Sequence, residues 1–214
     1  MTLKRYLFES NRQGLATITA LGNDGRPFIC LEQTWFHPQG GGQKADRGTI
    51  ANIPVTHIAH SDGEVNHYLE TTADLQRGQE VEVAVDADWR KTNAQLHTGG
   101  HLIAAITEKL FPTLQAVAGH HWPGEARVEF VYQQTPNPVE VSALLEPALR
   151  DAIEADLAVS IVGDPLTARA IQIGDFTAVP CGGTHLERLG QLDQIILTGI
   201  KLKGGKLRIS YQTA

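Results

Sequence analysis

The sequence predicts an α+β protein in which a small N-terminal β-barrel precedes a second domain that mixes helices with strands. Two observations carry this expectation. The first eighty-odd residues form short strand-like runs joined by turn signals, and a long helical period begins abruptly near Asp86. After that helix, further strand-like and helical pieces follow one another without strict alternation, as they do in an α+β domain. The expected division is a barrel domain over residues 1–87, carrying a glycine-rich loop, and a second domain over 88–214.

Each element has a local reason. "GLATITALGNDGRPFICLEQTWF" holds two strand-like runs around "GNDG", and "VTHIAHSDGEVNHYLE" repeats the arrangement around "SDG". Asp-Gly supplies the positive φ that tight hairpin turns require. "EVEVAVDADW" alternates apolar and charged residues, as a half-exposed strand does, and short strands at this spacing suit a small barrel. "DWRKTNAQLHTGGHLIAAITEKLF" has helical spacing through Leu96, Ile103, Ile106 and Leu110 and stops at Pro112. A second helix is expected from about Pro138 to Leu157, with a break or kink at Pro147. "AVSIV", "ARAIQI", "QIILTGIKL" and "KLRISYQ" read as strands, the last two joined through Lys203–Gly204–Gly205.

Composition narrows the function. With 42% hydrophobic and 20% charged residues the chain resembles an ordinary soluble protein. No run approaches the roughly 20 apolar residues of a membrane span, and "MTLKRYLFES" lacks the apolar core of a secretory signal. Cys30 and Cys181 are the only cysteines, which points to a reducing cytoplasm rather than a disulfide framework. The formal charge of −6 argues against a protein that coats nucleic acid, so any such contact needs a local patch. Membranes and DNA are not expected partners, and the sequence carries no signal for oligomeric state.

The chemistry lies in two short pairs. His97 and His101 in "HTGGH" are one helical turn apart, so both imidazoles can reach one ion. Cys181 and His185 in "PCGGTH" repeat the spacing on a glycine-rich turn. Together they offer three imidazoles and a thiolate, a ligand set that suits Zn²⁺. Either pair alone is an ordinary accident in a chain with nine histidines. His57, His60 and His67 are expected at the surface, and Cys30 as a small buried apolar residue. A zincin protease needs glutamate inside its His-x-x-x-His, and Thr98 stands there instead. Four ligands fit either a closed structural site or a catalytic one that frees a position. Gly99 and Gly100 cost about 1 kcal/mol each inside a helix, so either the helix starts late or something approaches its backbone closely.

"TWFHPQGGGQKADRG", Thr34 to Gly48, is the strongest feature of the first domain. It is not a P-loop, because no Gly-Lys-Ser/Thr follows. Taken with "HTGGH", "CGGTH" and the closing "IKLKGGKLRISY", in that order, it resembles the AlaX family, freestanding relatives of the editing domain of alanyl-tRNA synthetase. The likeness runs from about Thr34 to Tyr211 and matches the medium-length subgroup, which has the glycine-rich N-terminal domain. Threonyl-tRNA synthetase editing domains share the paired ligands but lack that loop. This chain departs from the family in carrying Gly99 and Gly100 inside the His-x-x-x-His segment.

The resemblance implies a zinc-dependent trans-editing deacylase. It would hydrolyse the ester of mischarged alanine tRNA, chiefly Ser-tRNA(Ala), with Gly-tRNA(Ala) a further substrate. The implied fold is a β-barrel joined to an α/β editing domain, with His97, His101, Cys181 and His185 as zinc ligands. Thr34 falls on the family's reader of the serine hydroxyl. An apolar alanine pocket rejects serine by only about a hundredfold, whereas a site that bonds the hydroxyl does better. Thr34 and Gln43 are of the type that such a site needs, and His121 of "GHHWPGE" is a candidate helper unless that loop is solvated. Gly41 and Gly42 are candidates for substrate contact. Lys201, Lys203, Lys206 and Arg208 form a basic end, with no acidic residue after Asp193, that would meet tRNA phosphates; Arg90 and Lys91 are candidates to extend it. The alternatives are a zinc-stapled RNA-binding module without hydrolase activity and a deacylase for another mischarged tRNA.

Overall fold

A computed structural model describes all 214 residues. Two compact units make up the chain: Met1–Gly40 with Lys44–Lys91, and Gly41–Gln43 with Thr92–Ala214. The sequence placed the division at residue 87 and the whole glycine-rich loop in the first domain. In the structure the division falls after Lys91, and the loop tip Gly41–Gln43 packs with the second unit.

The first unit holds eight strands: β1 (Leu3–Lys4), β2 (Gln13–Asn23), β3 (Pro27–Leu31), β4 (Gln33–Thr34), β5 (Gly48–Ile50), β6 (Ile53–Ser61), β7 (Glu64–Leu69) and β8 (Glu80–Val85). Six of them close in the order β2-β3-β7-β6-β5-β8, with β8 returning to β2 through Gln13↔Ala84 to Thr17↔Glu80. Strands β1 and β4 pair in parallel. Asp62 (φ 45°) and Gly63 (φ 83°) form the two-residue turn between β6 and β7, the backbone that matches the twist of a hairpin. Ile18, Ile29, Leu31, Phe36, Ile50, Ile58 and Val83 fill the interior.

Two expectations fail here for one reason, burial with a partner. His67, expected at the surface, is fully buried, because β7 is covered along most of its length. Its Nδ1 faces the Ile29 carbonyl at 3.3 Å, which makes Nδ1 the donor, and Nε2 then accepts from the Thr34 hydroxyl at 2.8 Å. Burial lowers the His67 pKa to about 4, so the ring is neutral. Arg90, considered for the basic surface, is buried against Asp46, with Nε 3.0 Å from Oδ1 and Nη2 2.6 Å from the Trp35 carbonyl. Asp46 also accepts from the His37 N–H at 2.6 Å, so this ion pair closes the base of the glycine-rich loop. Cys30 is buried as expected, its thiol donating to Asn66 at 3.3 Å.

Helix α1 (Ala87–Leu110) begins at Asp86, whose carboxylate accepts from the Asp88 and Trp89 N–H groups, and continues from Thr92 onward in the second unit. It is continuous through Gly99 and Gly100. Strands β9 (Leu114–His120) and β10 (Arg127–Tyr132), helix α2 (Pro138–Glu154), and strands β11 (Val159–Val162), β12 (Ala170–Ile173), β13 (Val179–Pro180), β14 (Ile195–Lys203) and β15 (Lys206–Thr213) follow. They form an antiparallel sheet β14-β15-β10-β9 and a smaller one, β11-β12-β13. Asn137 caps α2 with Pro138 in its first turn, and the helix runs on through Pro147 rather than breaking there. Leu102, Ile103, Phe130, Val141, Leu145, Leu207 and Ile209 form the core between helices and sheet. Strand β9 escapes sequence reading because it is an edge strand of small, mostly exposed residues with no clear alternation. No helix is long and apolar enough to cross a membrane.

Candidate metal centre

His97, His101, Cys181 and His185 come together in the second unit, with one ligand atom from each within 4.8 Å of all the others. Ring centroids lie 5.0 Å apart for His97 and His101, 4.4 Å for His97 and His185, and 4.8 Å for His101 and His185. Cys181 Sγ is 3.5 Å from His97 Nε2 and 3.2 Å from His185 Nε2. Bonds of about 2.0–2.1 Å to nitrogen and 2.3 Å to sulfur at tetrahedral angles put neighbouring ligand atoms roughly 3.3–3.6 Å apart. The donor set and its spacing therefore fit a four-coordinate metal ion.

The ring tautomers agree with that fit. His97 Nδ1 lies 2.8 Å from Gln43 Oε1, and the same oxygen accepts from the Thr184 N–H at 2.9 Å, which fixes the orientation of the amide. The Gln43 amide nitrogen donates to Thr184 Oγ1 at 2.8 Å. His97 thus donates through Nδ1 and turns Nε2 towards the other ligands. His185 is held in the same way: its Nδ1 lies 3.1 Å from Thr98 Oγ1, which also accepts from the Leu186 N–H. Thr98, the residue that excludes a zincin protease, is therefore a support for a ligand. Gly183 belongs to the same construction, since a Cβ there would lie 2.1 Å from the His97 ring.

Electrostatics favour the binding-competent histidine. His101 is lowered to about 4, by burial first and by the charge of Arg169 second, so its ring is neutral. Burial raises the Cys181 thiol, opposed by the Gly183 N–H and by Arg169. A bound cation reverses that preference and holds a thiolate. The Arg169 guanidinium donates to the Cys181 carbonyl and so fixes the turn that carries the ligand. No sequence signal marks Arg169.

His121 is buried beside the cluster, its ring stacked on His97 at 4.6 Å and 24°. Tyr211 OH donates to the Leu96 carbonyl at 2.7 Å and accepts from His121 Nδ1 at 2.7 Å, leaving Nε2 as the lone-pair nitrogen. Burial lowers His121 to about 3. This ring explains one of the two helix glycines and one in β9: a Cβ on Gly100 would lie 2.2 Å from His121, and one on Gly119 2.3 Å, whereas one on Gly99 would meet Thr213 at 3.3 Å. Gly42 accepts the His121 N–H at 2.8 Å and has φ of 78°, while a Cβ on it would meet the Gly119 carbonyl at 2.5 Å. Gly41 also takes positive φ, 56°, beside it. His120, by contrast, is only half-buried and faces Glu125 and Trp122.

Five candidates remain, Thr34 of the first unit and four basic residues of β14 and β15. Thr34 is fully buried in the first unit, donating to His67 and accepting from the Phe36 N–H at 3.2 Å. Lys201 pairs with Arg208 and Lys203 with Lys206 across the β14–β15 hairpin, which puts all four on one face. That face is opposite Leu207, Ile209 and Tyr211 of the core, so the sheet separates the basic residues from the core side. Glu129 sits among them, 2.6 Å from Arg208 and 3.2 Å from Lys206, and these partners hold its carboxyl below the usual range.

Comparison with known proteins gives a consistent picture. No family model matches the chain. The alanyl-tRNA editing protein AlaX-M of Pyrococcus horikoshii is 30% identical over 172 residues, covering 78% of this chain and 77% of that protein. AlaX-L of the same organism is 28% identical over 178 residues, 74% of this chain but 44% of the longer relative. The alanyl-tRNA editing protein Aarsd1 of Rattus norvegicus is 29% identical over 198 residues, 83% of this chain and 46% of that protein. With this identity and coverage, and with the paired ligands gathered at one centre, the chain belongs to the AlaX family of alanyl-tRNA editing proteins.

Proposed function

We propose that the protein is a trans-editing deacylase that hydrolyses mischarged alanine tRNA, chiefly Ser-tRNA(Ala) and also Gly-tRNA(Ala), and that its four ligands hold Zn²⁺. The observation that carries this reading is that one ligand of the cluster, His101, forms part of the wall of a cavity. A purely structural ion has no need of such access. Family membership supplies the substrate class, since the relatives are named as alanyl-tRNA editing proteins.

Three imidazoles and a thiolate select Zn²⁺ over harder cations. Bound there, Zn²⁺ would supply Lewis acidity towards the ester carbonyl. The chain's own residues do the rest. Gln43 and Thr98 keep His97 and His185 in fixed tautomers and orientations. Neutral His121 offers Nε2 as an acceptor for the substrate ammonium or the attacking water, its other nitrogen being committed to Tyr211. Thr34 enters through the resemblance, as a reader of the serine hydroxyl through its remaining lone pair. Lys201, Lys203, Lys206 and Arg208 meet tRNA phosphates, with Gly41 and Gly42 near the reacting end.

The test is release of serine and of alanine from separately charged alanine tRNA by zinc-loaded protein. Rapid loss of serine with alanine retained is expected. Hydrolysis of neither would overturn the assignment, and equal hydrolysis of both would remove the editing selectivity.

A further inference from the structure

The cavity walled in part by α1 and β9 takes its polar side chains from His101, Glu108, Lys109, His121, Asp175 and Thr177. Glu108, Lys109, Asp175 and Thr177 are exposed, and His101 belongs to the ligand cluster. His121 is the buried one, 4% exposed. Its Nδ1 is committed to Tyr211, while Nε2 has no partner in the protein and is not closed off from the cavity. The ring is also fixed in place. Tyr211 donates to the carbonyl of Leu96, the residue before the ligand His97, so it must accept from Nδ1, and the lone pair is left on Nε2. His121 stacks on His97 at 4.6 Å and lies 6.4 Å from His101, measured between ring centroids. A rigid acceptor thus stands beside the ligand cluster.

We propose that Nε2 of His121 accepts a hydrogen bond from the serine hydroxyl, which makes His121 a specificity-determining residue for the deacylation. The proposal rests on the deacylase reading. The hydroxyl is carried on the carbon next to the α-carbon of the ester, so its reader must stand close to where the ester is held. An exposed reader gives little selectivity, because water takes the place of the hydroxyl when alanine is bound. A buried acceptor does better: the alanine methyl covers it and leaves the nitrogen unpaired. Glycine has no β-carbon and leaves space for a water on Nε2, in keeping with Gly-tRNA(Ala) as a further substrate. The α-ammonium and the attacking water compete for the same nitrogen. A buried ammonium calls for a carboxylate, whereas the titratable groups that act on His121 are other imidazoles, His101 and His120. The attacking water is common to serine and alanine, so an acceptor spent on it gives no selectivity between them.

The experiment is calorimetric binding of 3′-serylamino- and 3′-alanylamino-3′-deoxyadenosine, stable amides in place of the ester, to zinc-loaded wild type, His121→Asn and His121→Gln. Asparagine keeps a donor for Tyr211 and removes the acceptor, whereas glutamine reaches as far as Nε2 and keeps one. The ratio of serine to alanine affinity should fall roughly 5- to 150-fold in H121N. H121Q should restore most of it, with zinc content unchanged in both variants. A ratio kept in H121N, whether or not Thr34→Val loses it, would overturn the proposal, as would equal wild-type affinity for the two analogues. Equal weakening of both in H121N would assign Nε2 to the α-ammonium instead. Unchanged binding with slower single-turnover hydrolysis would assign it to the attacking water. A ratio lost alike in H121N and H121Q would lay the effect on the packing of the ring, and each of these three results also overturns the proposal. Hydrolysis of Ser-tRNA(Ala) by the same wild-type preparation is scored separately. An active enzyme whose ratio survives in H121N loses only the hydroxyl reader. An inactive one loses the deacylase reading, and the calorimetry still decides what His121 binds.

Discussion

Gln43 makes three hydrogen bonds, to His97 and to the backbone and side chain of Thr184, and those bonds make it a positioning residue for a metal ligand. Gln43→Leu should lower zinc affinity about 10- to 100-fold in competition with a chelator. Gln43→Glu, which keeps an acceptor for His97, should lose less; equal losses would show that the amide acts otherwise. Thr34 poses a different case. From the sequence, Thr34→Val should erode serine selectivity more than folding. The structure adds a folding cost, because valine leaves buried His67 Nε2 without its donor, a loss of about 1–3 kcal/mol. Urea unfolding of T34V measures that cost, and Thr34→Ser should restore most of it.

At the scale of elements, the β14–β15 hairpin turns a sequence bias into a surface. Gly204 and Gly205 take φ of 57° and 72°, and the register they set brings four cations onto one face. Glu129 on β10 offsets part of that charge. Lys201→Ala should weaken tRNA binding regardless of the amino acid carried and reduce the slope of log affinity against log salt by about 1. Glu129→Gln should strengthen binding under the same conditions. If neither variant moves the salt dependence, the hairpin does not contact phosphate. Strand β9 shows the limit of periodicity: an edge strand facing a cavity has no reason to alternate, and only its pairing with β10 identifies it.

For the molecule as a whole, buried neutral histidine sets an acid limit to stability. His67 has a folded pKa of about 4 against an ordinary 6.5, so between those values the unfolded chain binds more protons. Stability is then full above pH 6.5 and falls as the pH drops towards 4. From pH 6.5 to 4.5 this residue alone accounts for about 2–3 kcal/mol. His57 and His60, also lowered by burial, act in the same direction. Urea unfolding of the protein at pH 7 and pH 4.5, repeated with His67→Gln, measures the effect; an unchanged pH dependence in the variant would assign it to other groups.

The sequence by itself determined the hairpins, the long helix and the chemical character of the centre, because each is written within a few residues. Asp62–Gly63 and Gly204–Gly205 fold their own turns, and the two four-residue spacings name their ligands through residue type. Only the tertiary structure decided what surrounds those ligands. The contacts Gln43–His97, Thr98–His185 and His121–Tyr211 join positions 54, 87 and 90 residues apart. The same holds for the buried Arg90–Asp46 pair and for His67, which a local reading placed outside. Periodicity and turn chemistry act over a few residues, whereas burial and hydrogen-bond pairing belong to whichever distant side chain the completed fold brings within reach.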